Sequence, residues 1–199
     1  MTTTFFLIRH ASHNLLGRVL VGRGAAVPLG EAGREQARRL AQRFADAPIS
    51  IVQSSPQRRA RETAAPIAQG LNRSVEIADE VDEIDVGEWT GQEFEALNAD
   101  PRWELWNQAR GRARAPGGES MAEVQDRVVG HIDRVRSSNP EGRVLIVSHA
   151  DVIRAAVLYY LGLSLDAFDR IEISPASVST LLVGEWGAKI FSLNETVAG

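Results

Sequence analysis

The 199-residue sequence predicts an α/β fold built on a mostly parallel central sheet. Three observations predict it. Four-residue segments at 5–8, 49–52 and 144–147, apolar throughout but for Ser50, each stop abruptly at polar residues, as strands buried on both faces do. Between them lie stretches whose apolar residues recur at helical spacing. No linker-like segment and no internal repeat divides the chain, so residues 1–199 read as a single domain.

Each element follows from local chemistry. Phe5, Phe6, Leu7 and Ile8 form the first strand, which ends at Arg9-His10. Residues 17–30 hold four glycines and Pro28 and read as a loop. From Glu31 the pattern turns helical, with Ala37, Leu40, Ala41 and Phe44 at i, i+3, i+4 and i+7. Residues 49–52 give a second buried strand leading to Ser54-Ser55. Pro56 suits the first turn of a helix that reaches Gln69 ahead of Gly70, and Pro66 is expected to kink that helix or end it early. Residues 74–77 read as a short strand and the acidic stretch 79–91 as an extended loop. Residues 94–106 read as helix broken at Pro101, and 111–118 as a polar loop. Met121, Val124, Val128, Ile132 and Val135 mark a long amphipathic helix. Residues 143–147 are the clearest strand and end at Ser148-His149. Residues 152–161 form another helix, and 178–183 and 188–193 a terminal strand pair turning at 184–187.

Composition narrows the function. Hydrophobic residues make up 44% and charged residues 24%, an ordinary globular balance. A formal net charge of −4 supplies no general attraction to nucleic acid or to an anionic membrane, so neither is expected as a partner. The absence of cysteine removes disulfides, thiolate nucleophiles and cysteine metal sites together. The first residues carry no basic leader, and the longest apolar stretch, 155–163, is too short to span a bilayer; a cytoplasmic location is expected. Lys189 is the only lysine. Every other basic side chain outside histidine is therefore an arginine, whose planar fork suits phosphate.

Three strands end in polar pairs: Arg9-His10, Ser54-Ser55 and Ser148-His149. In a parallel sheet such tips share one edge, where α/β proteins place ligands. One histidine after a strand is most often an ordinary packed or surface residue. Two of only four histidines at equivalent strand ends, one behind an arginine, point to a site.

The segments around these tips resemble the histidine phosphatase (phosphoglycerate-mutase-like) superfamily. Leu7-Ile8-Arg9-His10-Ala11 is similar to its Leu-x-Arg-His-Gly block, and the Ser54-Ser55 tip with Arg59-Ala60 and Thr63-Ala64 to its Ser-Ser-x-x-x-Arg-Ala-x-x-Thr-Ala block. Glu83, Gly87 and Gly91 fit a Glu-x-x-x-Gly-x-x-x-Gly block, Gly118-Glu119-Ser120 a Gly-Glu-Ser segment, and the strand ending at His149 the family's second histidine block. The five blocks run in the family's order from residue 7 to 149.

The resemblance implies a three-layer α/β/α sandwich and a phosphatase. It implies that His10 attacks phosphorus to give a phosphohistidine. Arg9, Arg59 and His149 then surround the phosphoryl group, and Glu83 protonates the departing oxygen. Elementary chemistry agrees: arginines offset charge on the phosphoryl oxygens, neutral imidazole is nucleophilic near neutral pH, and an alkoxide needs a proton donor. No metal or other cofactor is implied, and the partner is a small phosphorylated molecule. Oligomeric state is open, a homodimer included.

Alternatives stand beside these roles. Arg58 and Arg61 read as solvent-facing, and the other acids of 79–91 as solvated. His131 reads as structural or exposed, and Trp103 and Trp106 as core or lid. The pattern also departs from the family: Ala11 and Ala150 replace glycines, His13 stands where threonine or serine is common, and Leu16 where asparagine is common. His13, Asn14 and Arg23 are therefore further candidates for binding phosphate or substrate. A phosphoglycerate mutase, a phosphohistidine-protein phosphatase and a non-catalytic phosphate-binding module are the competing functions.

Overall fold

The computed structural model describes residues 1–24 and 26–196. Ala25, within the loop expected at 17–30, and residues 197–199, within the single domain expected over 1–199, lie outside the described residues. Six strands form one sheet. β1 (Thr2–Arg9) lies beside β6 (Arg143–Ser148), which lies beside β3 (Ile51–Ser54) and then β4 (Val75–Ile77), all parallel. On the other flank of β1, β7 (Val178–Gly184) pairs antiparallel, and β8 (Gly187–Glu195) pairs antiparallel with β7 at the sheet edge. A separate two-stranded ribbon joins β2 (Val19–Leu20) to β5 (Gln92–Glu93).

Alternation along β1 creates the layers. Phe5 and Leu7 point into one core with Val144 and Ile146, and Phe6 and Ile8 into the other with Leu145 and Val147. The first core is closed by α5 (Met121–Ser138) and α6 (Ala150–Tyr160), through Val128, Ile132, Val152 and Ile153. The second is closed by α1 (Glu31–Phe44) and α2 (Arg58–Gly70), through Leu40, Phe44, Ala64 and Ile67. Helices cover both faces of the sheet, the arrangement expected from the sequence.

Differences are local. The helix after Pro56 starts at Arg58 with Gln57 as its N-cap, and it passes through Pro66 to Gly70 without ending early. Burial of Ala60, Ala64, Ile67 and Ala68 offsets the hydrogen bond that Pro66 cannot donate. The break at Pro101 yields two helices, α3 (Phe94–Leu97) and α4 (Pro101–Gln108), and Asp100 caps the second by accepting from Arg102 N at 2.8 Å. The acidic stretch 79–91 contains two single turns of 3₁₀-helix, Asp79–Val81 and Gly87–Trp89. Fully buried Trp89 anchors the second turn, edge-on to Trp103 and Trp106 and bonded to Asp100 Oδ2. No helix among the described residues is long and apolar enough to cross a membrane.

Candidate active site

Register brings the strand tips together. Arg9 pairs with Ser148 across β1 and β6, and His10 N donates to Ser148 O at 2.9 Å. His10 and His149 therefore leave the sheet at the same level, their ring centroids 5.2 Å apart. Ser54 pairs with Val147 across β3 and β6, so Ser55 arrives at the same edge.

Both histidine tautomers follow from their partners. His10 Nδ1 faces the Ala11 carbonyl at 2.9 Å; a carbonyl only accepts, so Nδ1 carries the proton and Nε2 the lone pair. Arg59 Nε donates to that Nε2 at 3.3 Å. His149 Nε2 lies 2.8 Å from Ser55 Oγ, which itself donates to Asp82 Oδ1 at 2.9 Å. Nε2 is thus the donor, and His149 Nδ1 accepts from Arg59 Nη2 at 3.2 Å. Asp82 Oδ1 also accepts from Glu83 N at 2.7 Å, so one carboxylate steadies both His149 and the acid loop.

Arg59 stands at the centre, in the first turn of α2 and only 2% exposed. Its Nη2 reaches Glu83 Oε2 at 3.3 Å and the Gly22 carbonyl at 3.0 Å. The loop holding the nucleophile is fixed from below, where Ala11 N donates to Thr63 Oγ1 at 3.0 Å and Thr63 Oγ1 donates to Arg59 O at 2.7 Å. Arg9 Nη1 donates to Ile173 O at 2.6 Å, while its buried Nε has no partner among the described residues.

Electrostatics favours a neutral nucleophile. Burial, then His149 and Arg59, push His10 well below its ordinary value of 6.5. Burial also lowers His149, against the pull of Glu83. Burial and Arg59 lower His13 to about 4. Burial pushes the Glu83 carboxyl up, but His149, Arg59 and His10 outweigh it and hold the group well below the usual carboxylate range. A bound phosphate dianion opposes the field of the Arg59 and Arg9 guanidiniums and itself repels a carboxylate, which moves Glu83 back toward the acid form.

The cleft above these groups has a volume of about 390 Å³. Leu16, Val19, Leu20, Phe94 and Trp103 give it an apolar wall. Arg110, Asp151 and Arg154 form a second polar region within it. The Arg110 guanidinium lies between Trp106 and Phe168, 4.6 and 4.1 Å from their centroids. Asp151 is shared by Arg110 at 3.3 Å and Arg154 at 3.1 Å.

Of the residues singled out from the sequence, Arg9, His10, His13, Arg59 and Glu83 line this cleft. His149 is fully buried just beneath it, with its ring against His10. His13 stacks on His10, 5.5 Å between centroids. Asn14 does not line the cleft; it is exposed, and its side-chain oxygen sits against Gly30. Arg23 is also outside the lining and turns toward the acid loop, with Nε 2.6 Å from Glu83 O and Nη2 2.8 Å from Glu119 Oε2. His131 lies elsewhere, bonded to Gln53 Oε1 at 2.8 Å. Sequence reasoning gave Thr63 no role beyond its place in a family block, read Asp82 as a solvated acid where it is buried, and missed the Arg110–Asp151–Arg154 group. The Asp-x-x-Arg spacing that begins two residues after His149 was a readable signal for the last.

His10, Glu83 and His149 present ligand atoms within 4.8 Å of one another, the only such set among the described residues. Arg59 donates to a nitrogen or oxygen of all three, so the cation of this cluster is a guanidinium.

Comparison with known proteins agrees with this geometry. The profile of the Histidine phosphatase superfamily (branch 1) matches residues 5–196. The chain is 34% identical over 195 residues to Phosphoserine phosphatase 1 of Hydrogenobacter thermophilus, covering 96% of this chain and 91% of that protein. It is 32% identical over 155 residues to a probable phosphoglycerate mutase, GpmB, of Erwinia tasmaniensis, covering 76% and 71%. Among solved structures it resembles YhfR of Bacillus stearothermophilus, with TM-score 0.91, 25% identity and 98% coverage of both chains. It also resembles a phosphoserine phosphatase of Entamoeba histolytica in complex with phosphoserine, with TM-score 0.84, 26% identity and 96% coverage of both. Two histidines on adjacent parallel strand ends, a buried arginine between them and a family match over nearly the whole length lead to one conclusion: the chain belongs to the histidine phosphatase superfamily.

Proposed function

We propose that this protein hydrolyses small phosphomonoesters through a phosphohistidine on His10. The observation that carries the reading is the pairing of a neutral His10 Nε2, freed by the Nδ1 bond to Ala11 O, with Arg59 Nε 3.3 Å away. Nε2 attacks phosphorus as the ester P–O bond breaks, and the departing oxygen takes a proton from Glu83. Arg9, Arg59 and His149 balance the charge on the phosphoryl oxygens. Water then attacks phosphorus, Glu83 takes its proton, and the N–P bond breaks to release inorganic phosphate. His13 stacks against His10 on the open side and supports binding at the rim.

Arg110 and Arg154 bring two guanidiniums to the second polar region of the cleft, where they share Asp151 and Arg154 also pairs with the exposed Glu172 at 3.7 Å. A leaving group bearing a carboxylate suits that region. The likeness to phosphoserine phosphatases supports phosphoserine as the first substrate to assay. The likeness to a probable phosphoglycerate mutase supports a second reading, isomerisation of phosphoglycerate through the same intermediate.

The test is direct. Brief incubation with ³²P-labelled substrate gives acid-labile label on the protein, and His10→Ala abolishes both label and turnover. Label retained by His10→Ala overturns the nucleophile. Phosphoserine and 3-phosphoglycerate, assayed with a chelator and with or without a bisphosphate primer, separate the readings: phosphate release supports hydrolysis, and primer-dependent isomerisation supports the mutase.

A further inference from the structure

Glu83 sits on chain that is neither strand nor helix, between two short turns, yet its role as proton donor demands a fixed position. Its support comes from a distance. The Glu83 carbonyl accepts from Arg23 Nε at 2.6 Å and from Arg127 Nη2 at 3.2 Å. Both arginines converge on one carboxylate. Glu119 Oε2 accepts from Arg23 Nη2 at 2.8 Å, from Arg127 Nη2 at 3.2 Å and from Asp85 N at 2.9 Å, and Glu119 Oε1 accepts from Arg127 Nε at 3.0 Å. Arg127 Nη1 also reaches the Glu80 carbonyl at 2.6 Å, so a single guanidinium holds the loop at both 80 and 83.

The two arginines come from different supports. Arg127 projects from α5, an 18-residue helix whose start is fixed by the Ser120–Glu123 capping box. Arg23 belongs to the loop that follows β2. Its neighbour Gly22 gives its carbonyl to Arg59, and Gly91 N donates to Leu20 O at 2.7 Å. Gly22 has φ +55°, and a Cβ there would lie 2.8 Å from Val86 Cγ2, so the loop rests directly on the acid segment.

We propose that Arg127, Glu119 and Arg23 are positioning residues that hold Glu83 at its working place and tie that place to the loop bound by Arg59. This assigns Arg23 to the acid segment in place of the substrate. The proposal rests on Glu83 being the proton donor, and the experiment separates the two. Arg127→Met and Glu83→Gln are made singly and together, and kcat and KM are measured on phosphoserine and on p-nitrophenyl phosphate. The aryl ester has a good leaving group and needs little protonation.

Arg127→Met is expected to lower kcat on phosphoserine at least about tenfold more than on the aryl ester, with KM changed little. In the Glu83→Gln background it is expected to add less than about twofold, because the acid it positions is gone. Arg127→Lys restores only part of the loss, since a point charge cannot span Glu80, Glu83 and Glu119. Equal losses on both substrates, or a loss that multiplies fully onto that of Glu83→Gln, overturn the positioning unit. If Glu83→Gln alone harms both substrates equally, the acid assignment falls, and this proposal falls with it. Should Arg127→Met fail to fold, Arg23→Met, whose native side chain is 34% exposed, carries the same comparison.

Discussion

Glu83 Oε2 lies 3.2 Å from His149 Nδ1, and Arg59 Nη2 lies 3.3 Å and 3.2 Å from the two. Neither an ionised carboxylate nor a bare ring nitrogen can donate, so the two are held together by the Arg59 guanidinium, which donates to both. A phosphoryl group entering beside them meets a carboxylate and an imidazole already joined through one guanidinium.

This coupling is measurable. The Glu83 carboxylate raises His149, while burial lowers it. Glu83→Gln removes the raising influence, so His149 is expected to titrate lower in the variant than in the parent. Ring ¹⁵N shifts followed against pH read this directly. An unchanged or higher value contradicts the contact.

Acid stability follows from the same groups. His10, His13, His131 and His149 all have folded-state values below 6.5. Below pH 6.5 the unfolded chain therefore binds more protons than the folded one, and stability falls as pH falls. His10, held well below 6.5, contributes a slope of about 1.4 kcal/mol per pH unit below that value, and His149 adds in the same direction. Glu83, also lowered, adds to the acid loss only below its unfolded value of 4.5. Urea midpoints measured from pH 7 to pH 5 should decline steadily; a flat profile contradicts neutral buried histidines.

Thr63→Val tests the support under the nucleophile. The change keeps shape but leaves the buried Ala11 N–H without its acceptor. A cost of about 1–3 kcal/mol is expected in equilibrium unfolding. A reduced rate of phosphohistidine formation should accompany it, because Ala11 also carries the carbonyl that sets the His10 tautomer.

Gly87→Ala tests the acid segment from its far end. Gly87 has φ +53°, and a Cβ there would clash with the Pro116 carbonyl and lie 2.7 Å from Gly118 N. Conformational strain alone costs about 1–2 kcal/mol, and relief of the clash moves the acid segment. Expected are a lowered melting temperature and a larger kcat loss on phosphoserine than on p-nitrophenyl phosphate. Equal kcat losses on the two would place the damage outside the acid.

Much of this was legible from local pattern. Apolar runs ending in polar pairs identified the strands and both histidine tips, because a buried strand and its exit are encoded within a few residues. Glu83 was separable from neighbouring acids only by its spacing to Gly87 and Gly91. Arg127 was not legible, since on an amphipathic helix it is one more polar-face residue, and its partners at 80 and 83 are more than forty positions away. Asn14 and Arg23 lie near the nucleophile in sequence, yet the loop path turns one to solvent and the other to the acid segment. Backbone course through an irregular loop is set by tertiary contacts that no periodicity records.

The parallel ladder between β1 and β6 fixes His10 and His149 as one rigid edge. The apolar wall of the cleft comes from separate pieces, the β2–β5 ribbon region with Phe94 and Trp103. The reacting edge and the apolar wall thus sit on separate pieces of chain. Exchanging residues 16–20 and 92–110 with those of a relative, with Gly22 and Arg23 kept because they hold Arg59 and the acid segment, should transplant its preference while the phosphohistidine chemistry stays at home.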